Sequence, residues 1–188
     1  LLCGKNAAKI LLEHPEPFFV IIPELSVLKG FDQRHFRHHL DAFGHTAAVL
    51  EAVPPVLELR LAALLHDIAK LTEFEVADSG IATGYSVEGI LLGHLAMGAM
   101  VISKYTEKLG TNKETAMLLE HMVLSHHGEP DFGAAVRPGF IEAELLSELD
   151  LMDSRIYEMH EAVSATAPDD FSQKLWAMDN RKLYNHNR

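Results

Sequence analysis

The dipeptide His66-Asp67 constrains the fold of this chain most strongly, because it ends an otherwise apolar helical stretch at residues 61–70. The apolar residues before the dipeptide predict burial in a protein core. A buried carboxylate is costly unless it is paired, hydrogen-bonded or bound to a metal ion, and a neighbouring imidazole favours the metal. The chain therefore has to fold so that further ligands reach this pair.

Apolar periodicity in the rest of the chain predicts an all-α protein. Thr111 and Glu114 have the spacing of a capping box. Residues 18–22 are apolar enough for a strand, but Pro23 follows at once, so a buried turn or short helix is favoured. The loop at 72–86 could include a short hairpin. About seven helices are predicted, at residues 5–14, 41–52, 57–71, 87–109, 112–127, 140–164 and 171–183.

The length of 188 residues predicts a single domain with a substantial core. No uncharged apolar run approaches the roughly 20 residues of a membrane helix, so we expect no membrane association. The single cysteine, Cys3, excludes an internal disulfide and favours the cytoplasm. The first residues lack an initiating Met and resemble a fragment edge, so an upstream domain is an open expectation. The net charge of −11 argues against non-specific binding of nucleic acid through its phosphates.

The chain contains 12 histidines, and several of them lie in apolar surroundings together with aspartates. A helical bundle can project such side chains inward from facing helices. Imidazoles combined with carboxylates suit Mn, Fe, Co, Ni or Zn better than Mg or Ca, which prefer oxygen ligands. The candidate ligands come from five successive predicted helices and are His45, His66, Asp67, His94, His126, His127 and Asp150.

This ordered set resembles the HD-domain superfamily of metal-dependent phosphohydrolases, which has an all-α fold. The part from residue 86 onward looks most like the HD domain of YhaM-type bacterial 3′-to-5′ exoribonucleases, and residues 21–70 also look like the HD region of bacterial tRNA nucleotidyltransferases. The motifs that carry the resemblance are IIPELSVLKGFDQ at 21–33, HTAAVLEAVPPVLELRLAALLHDIAK at 45–70, VEGILLGH at 87–94, LEHMVLSHHGEPDFG at 119–133, EAELLSELDLMDSR at 142–155 and AMDNRKLY at 177–184.

The resemblance implies one HD domain at residues 41–188, preceded by a helical extension at residues 1–40 that packs on it. It also implies one or two divalent ions. The first would be held by His45, His66, Asp67 and Asp150. Asp67 would bridge to a second ion, held by His94 and by His126, His127 or both.

The implied activity is hydrolysis of a phosphoester by metal-activated water, with Asp67 and Lys70 as catalytic residues. Lys70 would contact a phosphate oxygen of the substrate, and Arg137 is the candidate for a second phosphate contact. The implied substrate is a phosphorylated small molecule or nucleotide, with short RNA ends as a further option. The sequence leaves the oligomeric state open. The competing hypotheses are a nucleotide-sensing HD module without catalysis and an HD module that binds a partner protein.

Several other residues carry weaker expectations. His121 is interpreted as structural or as a support for a ligand, and Asp153 as orienting a ligand or forming an ordinary salt bridge. Residues His35, His38 and His39 are candidate substrate contacts or a solvated loop. Trp176, Met97 and Met100 are expected to pack in the protein interior.

Overall fold

The computed structural model describes residues 1–31, 41–77 and 81–186. Within these ranges the regular secondary structure is almost entirely helical, as predicted, with one short hairpin. The α-helices are α1 (Ala7–Glu13), α2 (Glu16–Ile21), α3 (Leu25–Leu28), α4 (Ala42–Ala52), α5 (Leu57–Leu65), α6 (Lys70–Glu73), α7 (Val87–Leu109), α8 (Lys113–Ser125) and α9 (Ile141–Ser164), and the strands are β1 (Phe74–Val76) and β2 (Ala82–Tyr85). Two 3-10 helices cover Pro130–Phe132 and Trp176–Met178.

One hydrophobic core joins the N-terminal helices to the rest of the bundle. Leu11 of α1 and Leu25 of α3 are fully buried together with Leu50 of α4 and Leu64 of α5. Helix α8 adds Met122 to the same core. Helices α1 and α3 therefore pack on the core, while the division into an extension at residues 1–40 and a domain at 41–188 stays a prediction.

The predicted helix at 57–71 is interrupted between Leu65 and Lys70. The backbone N–H groups of Ile68 and Lys70 donate to the carbonyls of Leu65 and Asp67, three residues earlier in each case. This tighter hydrogen-bonding pattern turns the chain at His66 and Asp67. The two residues therefore lie in a turn between α5 and α6 and not inside one continuous helix.

Helix α7 runs from Val87 to Leu109 but is kinked at Gly93, whose φ is 70° and ψ 159°. This left-handed φ is accessible to glycine without steric cost. The kink separates a first part with exposed Ile90 and Leu91 from a second part that begins at His94 and packs along α8. Met100 is 63% exposed, so its assignment to the interior was wrong.

By length and composition, α7 could also cross a membrane, although one such helix is weak grounds for a span. The sequence interpretation had expected no stretch of this kind. The same helix carries a buried histidine, His94, and contacts α6 and α8 along its length. A mostly buried core helix meets the same length and composition criteria, whereas 28% of the apolar window of α7 is buried.

Three local predictions were wrong. The cap of α8 is Asn112, whose side chain accepts from the N–H of Thr115, whereas Thr111 bonds back to Thr106. The predicted helix at 171–183 is replaced by a chain reversal, with isolated bridges pairing Phe171 with Tyr184 and Leu175 with Arg181. The reversal occurs at Asp179 and Asn180, which adopt positive φ values that Asp and Asn tolerate better than most residues. Trp176 is 77% exposed and not packed inside.

Candidate metal centre

The structure brings all seven predicted metal ligands together in the middle of the bundle. Helix α4 supplies one, the turn after α5 two, α7 one, the end of α8 two and α9 one. Five of them are buried, with exposed fractions of 1% for His45, 1% for His66, 2% for Asp67, 7% for His94 and 1% for His126. His127 and Asp150 are half-buried.

The ligand atoms form two groups. In the first, one donor atom each from His45, His66 and Asp150 lie within 4.8 Å of one another. In the second, the same holds for His94, His126 and His127. Three ligands at this spacing can converge on one divalent ion, so the described residues offer two candidate ion positions.

The Asp67 carboxylate lies between the two groups and faces each with a different oxygen. Its Oδ2 is 3.4 Å from Nε2 of His66 and 3.7 Å from Nε2 of His45. Its Oδ1 is 3.6 Å from Nε2 of His94 and 3.8 Å from Nε2 of His126. These separations are too long for direct hydrogen bonds. The arrangement leaves Asp67 able to serve both groups, as a bridging ligand does.

Each of the five candidate-ligand histidines has its Nδ1 nitrogen within hydrogen-bond distance of an acceptor from the surrounding structure. Such a contact orients the ring and occupies Nδ1, so Nε2 is the nitrogen that can bind a metal. The acceptors are Asp153 for His45, the carbonyl of Ala63 for His66, Glu73 for His94, the carbonyl of Val123 for His126 and the carbonyl of Phe132 for His127.

Four buried polar atoms at the centre lack a hydrogen-bond partner among the described residues. They are both carboxylate oxygens of Asp67, Nε2 of His94 and Nε2 of His126. Lys70 forms an ion pair with Asp67, with Nζ 2.8 Å from Oδ2, but does not give this oxygen a well-oriented hydrogen bond. Unsatisfied buried groups are costly, and a cation that accepts their lone pairs removes the cost. The donor set therefore fits a divalent metal.

The carboxylates of the centre are held in their charged form. Burial by itself raises the pKa of Asp67, but the Lys70 ammonium and the His66 ring outweigh it and hold this pKa well below its usual value. The pKa of Asp150 is lowered in the same way, with burial opposed chiefly by the hydrogen bond to His45. Burial opposes the charge on Lys70, but Asp67 raises its pKa.

His45 differs in charge from His126 and His127. Burial lowers the pKa of His45, yet the contacts with Asp150 and Asp153 prevail and raise it to about 10. Burial, assisted by nearby histidines, lowers the pKa of His126 and of His127. His126 and His127 are therefore neutral and can bind a cation, while His45 carries a proton that a metal ion has to displace.

The structure places the remaining predicted residues outside the ligand set. Arg137 is exposed and pairs with Glu129, with Nη2 2.7 Å from Oε2. His121 accepts a hydrogen bond from the N–H of Gly139 and packs against Phe140, which is a structural role. Asp153 binds Nδ1 of His45 at 2.9 Å and so orients a candidate ligand. Residues His35, His38 and His39 lie outside the described residues.

The sequence interpretation missed Glu73, the last residue of α6. Its carboxylate accepts from the ring and from the backbone N–H of His94. The signal was present in the sequence, because Asp67, Lys70 and Glu73 are spaced three residues apart and such residues share one side of a helical turn.

Comparisons with known proteins agree with this geometry. The sequence profile of the HD domain matches residues 35–155, which is most of the chain, so the protein belongs to the HD domain family. Curated relatives named 3′-5′ exoribonuclease YhaM are 36% identical over 121 residues in Bacillus licheniformis and 36% identical over 122 residues in Listeria welshimeri. The relative of this name from Bacillus subtilis is 31% identical over 150 residues.

The similarity covers much of this chain but a smaller part of each relative. It spans 64% of this chain and 38% of the Bacillus licheniformis protein, 65% and 38% for Listeria welshimeri, and 78% and 47% for Bacillus subtilis. The chain thus matches less than half the length of these relatives. No solved structure gives a significant match.

Proposed function

We propose that this chain is a metal-dependent phosphohydrolase that cleaves a phosphoester of a nucleotide or of the 3′ end of a short RNA strand. One observation carries the proposal. The carboxylate of Asp67 lies between two groups of ligand atoms and faces each with a different oxygen, of which Oδ1 lacks a hydrogen bond from the described residues and Oδ2 has only the Lys70 ammonium beside it. The names of the curated relatives support a phosphodiester bond in RNA as the substrate class.

Divalent ions bound at such a centre lower the pKa of water and neutralise the oxygens of a phosphoryl group. The chain's own residues supply the conditions for this chemistry. His45, His66 and Asp150 would hold one ion, His94, His126 and His127 the other, with Asp67 shared. The neutral state of His126 and His127 keeps their lone pairs available.

Lys70 would add a fixed positive charge beside the ions. Its ammonium group lies 2.8 Å from Asp67, and its side chain is 9% exposed. Burial among the ligands strengthens the interaction of this charge with an anionic phosphoryl oxygen. Lys70 thereby favours the build-up of negative charge when the phosphoester bond breaks.

Arg137 stays a proposed substrate contact. It projects from the exposed loop that follows His126 and His127, where Glu129 holds its guanidinium. Planar guanidinium groups bind phosphate through two parallel hydrogen bonds. If Arg137 contacts the substrate, Arg137→Ala raises KM and leaves kcat and metal content unchanged.

The decisive experiment measures metal content and turnover together. The protein is purified, reloaded with Mn²⁺ and assayed on bis(p-nitrophenyl) phosphate, nucleoside monophosphates and short RNA carrying a 5′ label. We expect metal-dependent turnover and, on RNA, shortening from the 3′ end. Asp67→Asn should abolish turnover, whereas His160→Ala, at an exposed histidine of α9, should retain it. Absence of turnover on every substrate refutes the proposal.

The same preparation separates catalysis from the alternative functions. A nucleotide that raises the melting temperature of the metal-loaded protein without forming product indicates a sensing module. A protein that co-purifies and binds without any nucleotide effect indicates a partner-binding module.

A cytoplasmic location, inferred from the single cysteine, is likewise part of the proposal.

A further inference from the structure

Helix α7 is interrupted directly before a candidate metal ligand. The positive φ of Gly93 breaks the helix, so His94 begins the second helical part and its N–H lacks the usual partner four residues earlier. The Oε1 atom of Glu73 accepts a hydrogen bond from this N–H, with an N–O distance of 3.1 Å. A carboxylate at the start of a helical segment also interacts favourably with the helix dipole.

The same carboxylate holds the imidazole ring of His94. Nδ1 of His94 lies 3.0 Å from Oε1 and 2.9 Å from Oε2 of Glu73. One side chain thus fixes both the backbone and the ring of this residue. A neutral ring that donates from Nδ1 to a carboxylate has an unprotonated Nε2, and Nε2 of His94 has no hydrogen-bond partner among the described residues and faces Oδ1 of Asp67 at 3.6 Å.

Glu73 is itself held in place by the neighbouring elements. Its backbone carbonyl accepts the N–H of Ser86, the residue that caps α7. Gly89 lies so close that a Cβ added there would be 2.1 Å from the Glu73 carbonyl oxygen. The side chain of Glu73 is 10% exposed. These contacts leave the carboxylate little freedom to move away from His94.

We infer that Glu73 is a positioning residue for one ion position only, the one formed by His94, His126 and His127. The inference deepens the proposed function, on which it rests, by assigning separate supports to the two positions. At the other position Asp153 makes the equivalent contact, 2.9 Å from Nδ1 of His45. His66, His126 and His127 rely on backbone carbonyls instead.

The test compares wild type with Glu73→Gln and with Glu75→Gln, a matched change at an exposed glutamate two residues later. Metal-free proteins are titrated with Mn²⁺, and bound ions are counted by elemental analysis. We expect two ions for wild type and Glu75→Gln. In Glu73→Gln one ion should bind as before, and the second should bind about 10- to 100-fold more weakly.

A second readout follows the ring of His94 directly. Long-range ¹H–¹⁵N spectra of metal-free protein report which nitrogen of each histidine carries the proton. Wild type should show His94 with its proton on Nδ1, and Glu73→Gln should populate the other tautomer, because the amide NH₂ can donate to Nδ1. If the Gln variant does not fold, Glu73→Asp replaces it, since the shorter carboxylate cannot reach both the ring and the backbone N–H.

The outcomes separate this inference from the proposed function. Loss of the second ion together with a changed His94 tautomer supports it. A variant that binds both ions like wild type, or a wild type that binds a single ion, overturns it. A wild type that binds two ions without any turnover refutes the phosphohydrolase proposal alone, and the role of Glu73 is still decided by the binding data.

Discussion

Nδ1 of His45 lies 2.9 Å from Oδ2 of Asp153, a residue 108 positions later in the chain. The contact joins α4 to α9 and turns Nε2 of His45 toward Asp150 and Asp67. Asp153→Asn should lower the affinity for the ion at His45, His66 and Asp150 about 10- to 100-fold. Metal titration measures this loss, with Glu161→Gln on the exposed side of α9 as the control. Unchanged affinity in Asp153→Asn would show that this carboxylate does not support the ion.

Lys70 and Asp67 form a buried ion pair, so removing the cation has a large expected effect. Lys70→Met should destabilise the metal-free protein by about 3–5 kcal/mol, because Asp67 loses its cationic partner. The loss should be smaller with metal bound, since the ion then supplies positive charge. Urea unfolding with and without Mn²⁺ checks both values. Lys104→Met, at an exposed position of α7, should change stability by no more than about 0.5 kcal/mol.

Stability of the metal-free protein should depend on the proton of His45. The pKa of His45 is raised from 6.5 to about 10 in the folded state, so its contribution is complete below pH 6.5 and is lost as the pH rises toward 10. Unfolding free energies measured from pH 6 to pH 10 should therefore fall, and His45→Gln should flatten this slope. A wild-type slope that His45→Gln leaves unaltered would contradict the assignment.

Metal binding should release the same proton. Nε2 of His45 contacts Asp150 and carries a proton at neutral pH. A metal ion that binds this nitrogen therefore has to displace the proton. Calorimetric titration with Mn²⁺ at pH 7.5 in buffers of different ionisation enthalpy counts the released protons. We expect about one more proton released by wild type than by His45→Gln. Equal proton release by the two proteins would argue against a protonated His45.

The approach of α7 to α6 depends on a glycine. A Cβ at Gly89 would lie 2.1 Å from the carbonyl oxygen of Glu73, whereas one at Gly84 would meet no atom of the described residues within 4 Å. Gly89→Ala should therefore destabilise the protein by about 1–3 kcal/mol despite the better helix propensity of alanine. Gly84→Ala is the matched control, and thermal unfolding compares the two. Equal stability of both variants would contradict the close contact.

The sequence predicted the helical fold well, because helices depend on local patterns, and the seven candidate ligands that it indicated lie close together in the structure. Apolar periodicity sets the long helices, and Gly110 ends α7 in the left-handed conformation expected of a C-cap. The errors lie where contacts decide between local alternatives. Asn112 and not Thr111 caps α8, and Asp179 with Asn180 reverses a segment that was predicted as helical.

The supports of the ligands were harder to predict than the ligands themselves. Asp153 remained undecided between a ligand support and a salt bridge, and Glu73 was missed. Both act on a histidine of another helix, and helix spacing specifies neighbours within a helix but not across the bundle. The exposed Trp176 illustrates the reverse case, since a large apolar residue is expected inside until the fold shows its surroundings.

By itself the sequence determined the helical class and a set of candidate ligands spread along the chain, because apolar periodicity and the His/Asp pattern are local features. Only the tertiary structure decided that Asp67 stands between two groups of histidines, with Oδ2 facing one and Oδ1 the other. It also decided that Glu73 and Asp153 each hold one histidine ring. The physical reason is that these relationships depend on the packing of helices from distant parts of the chain, which local preferences do not fix.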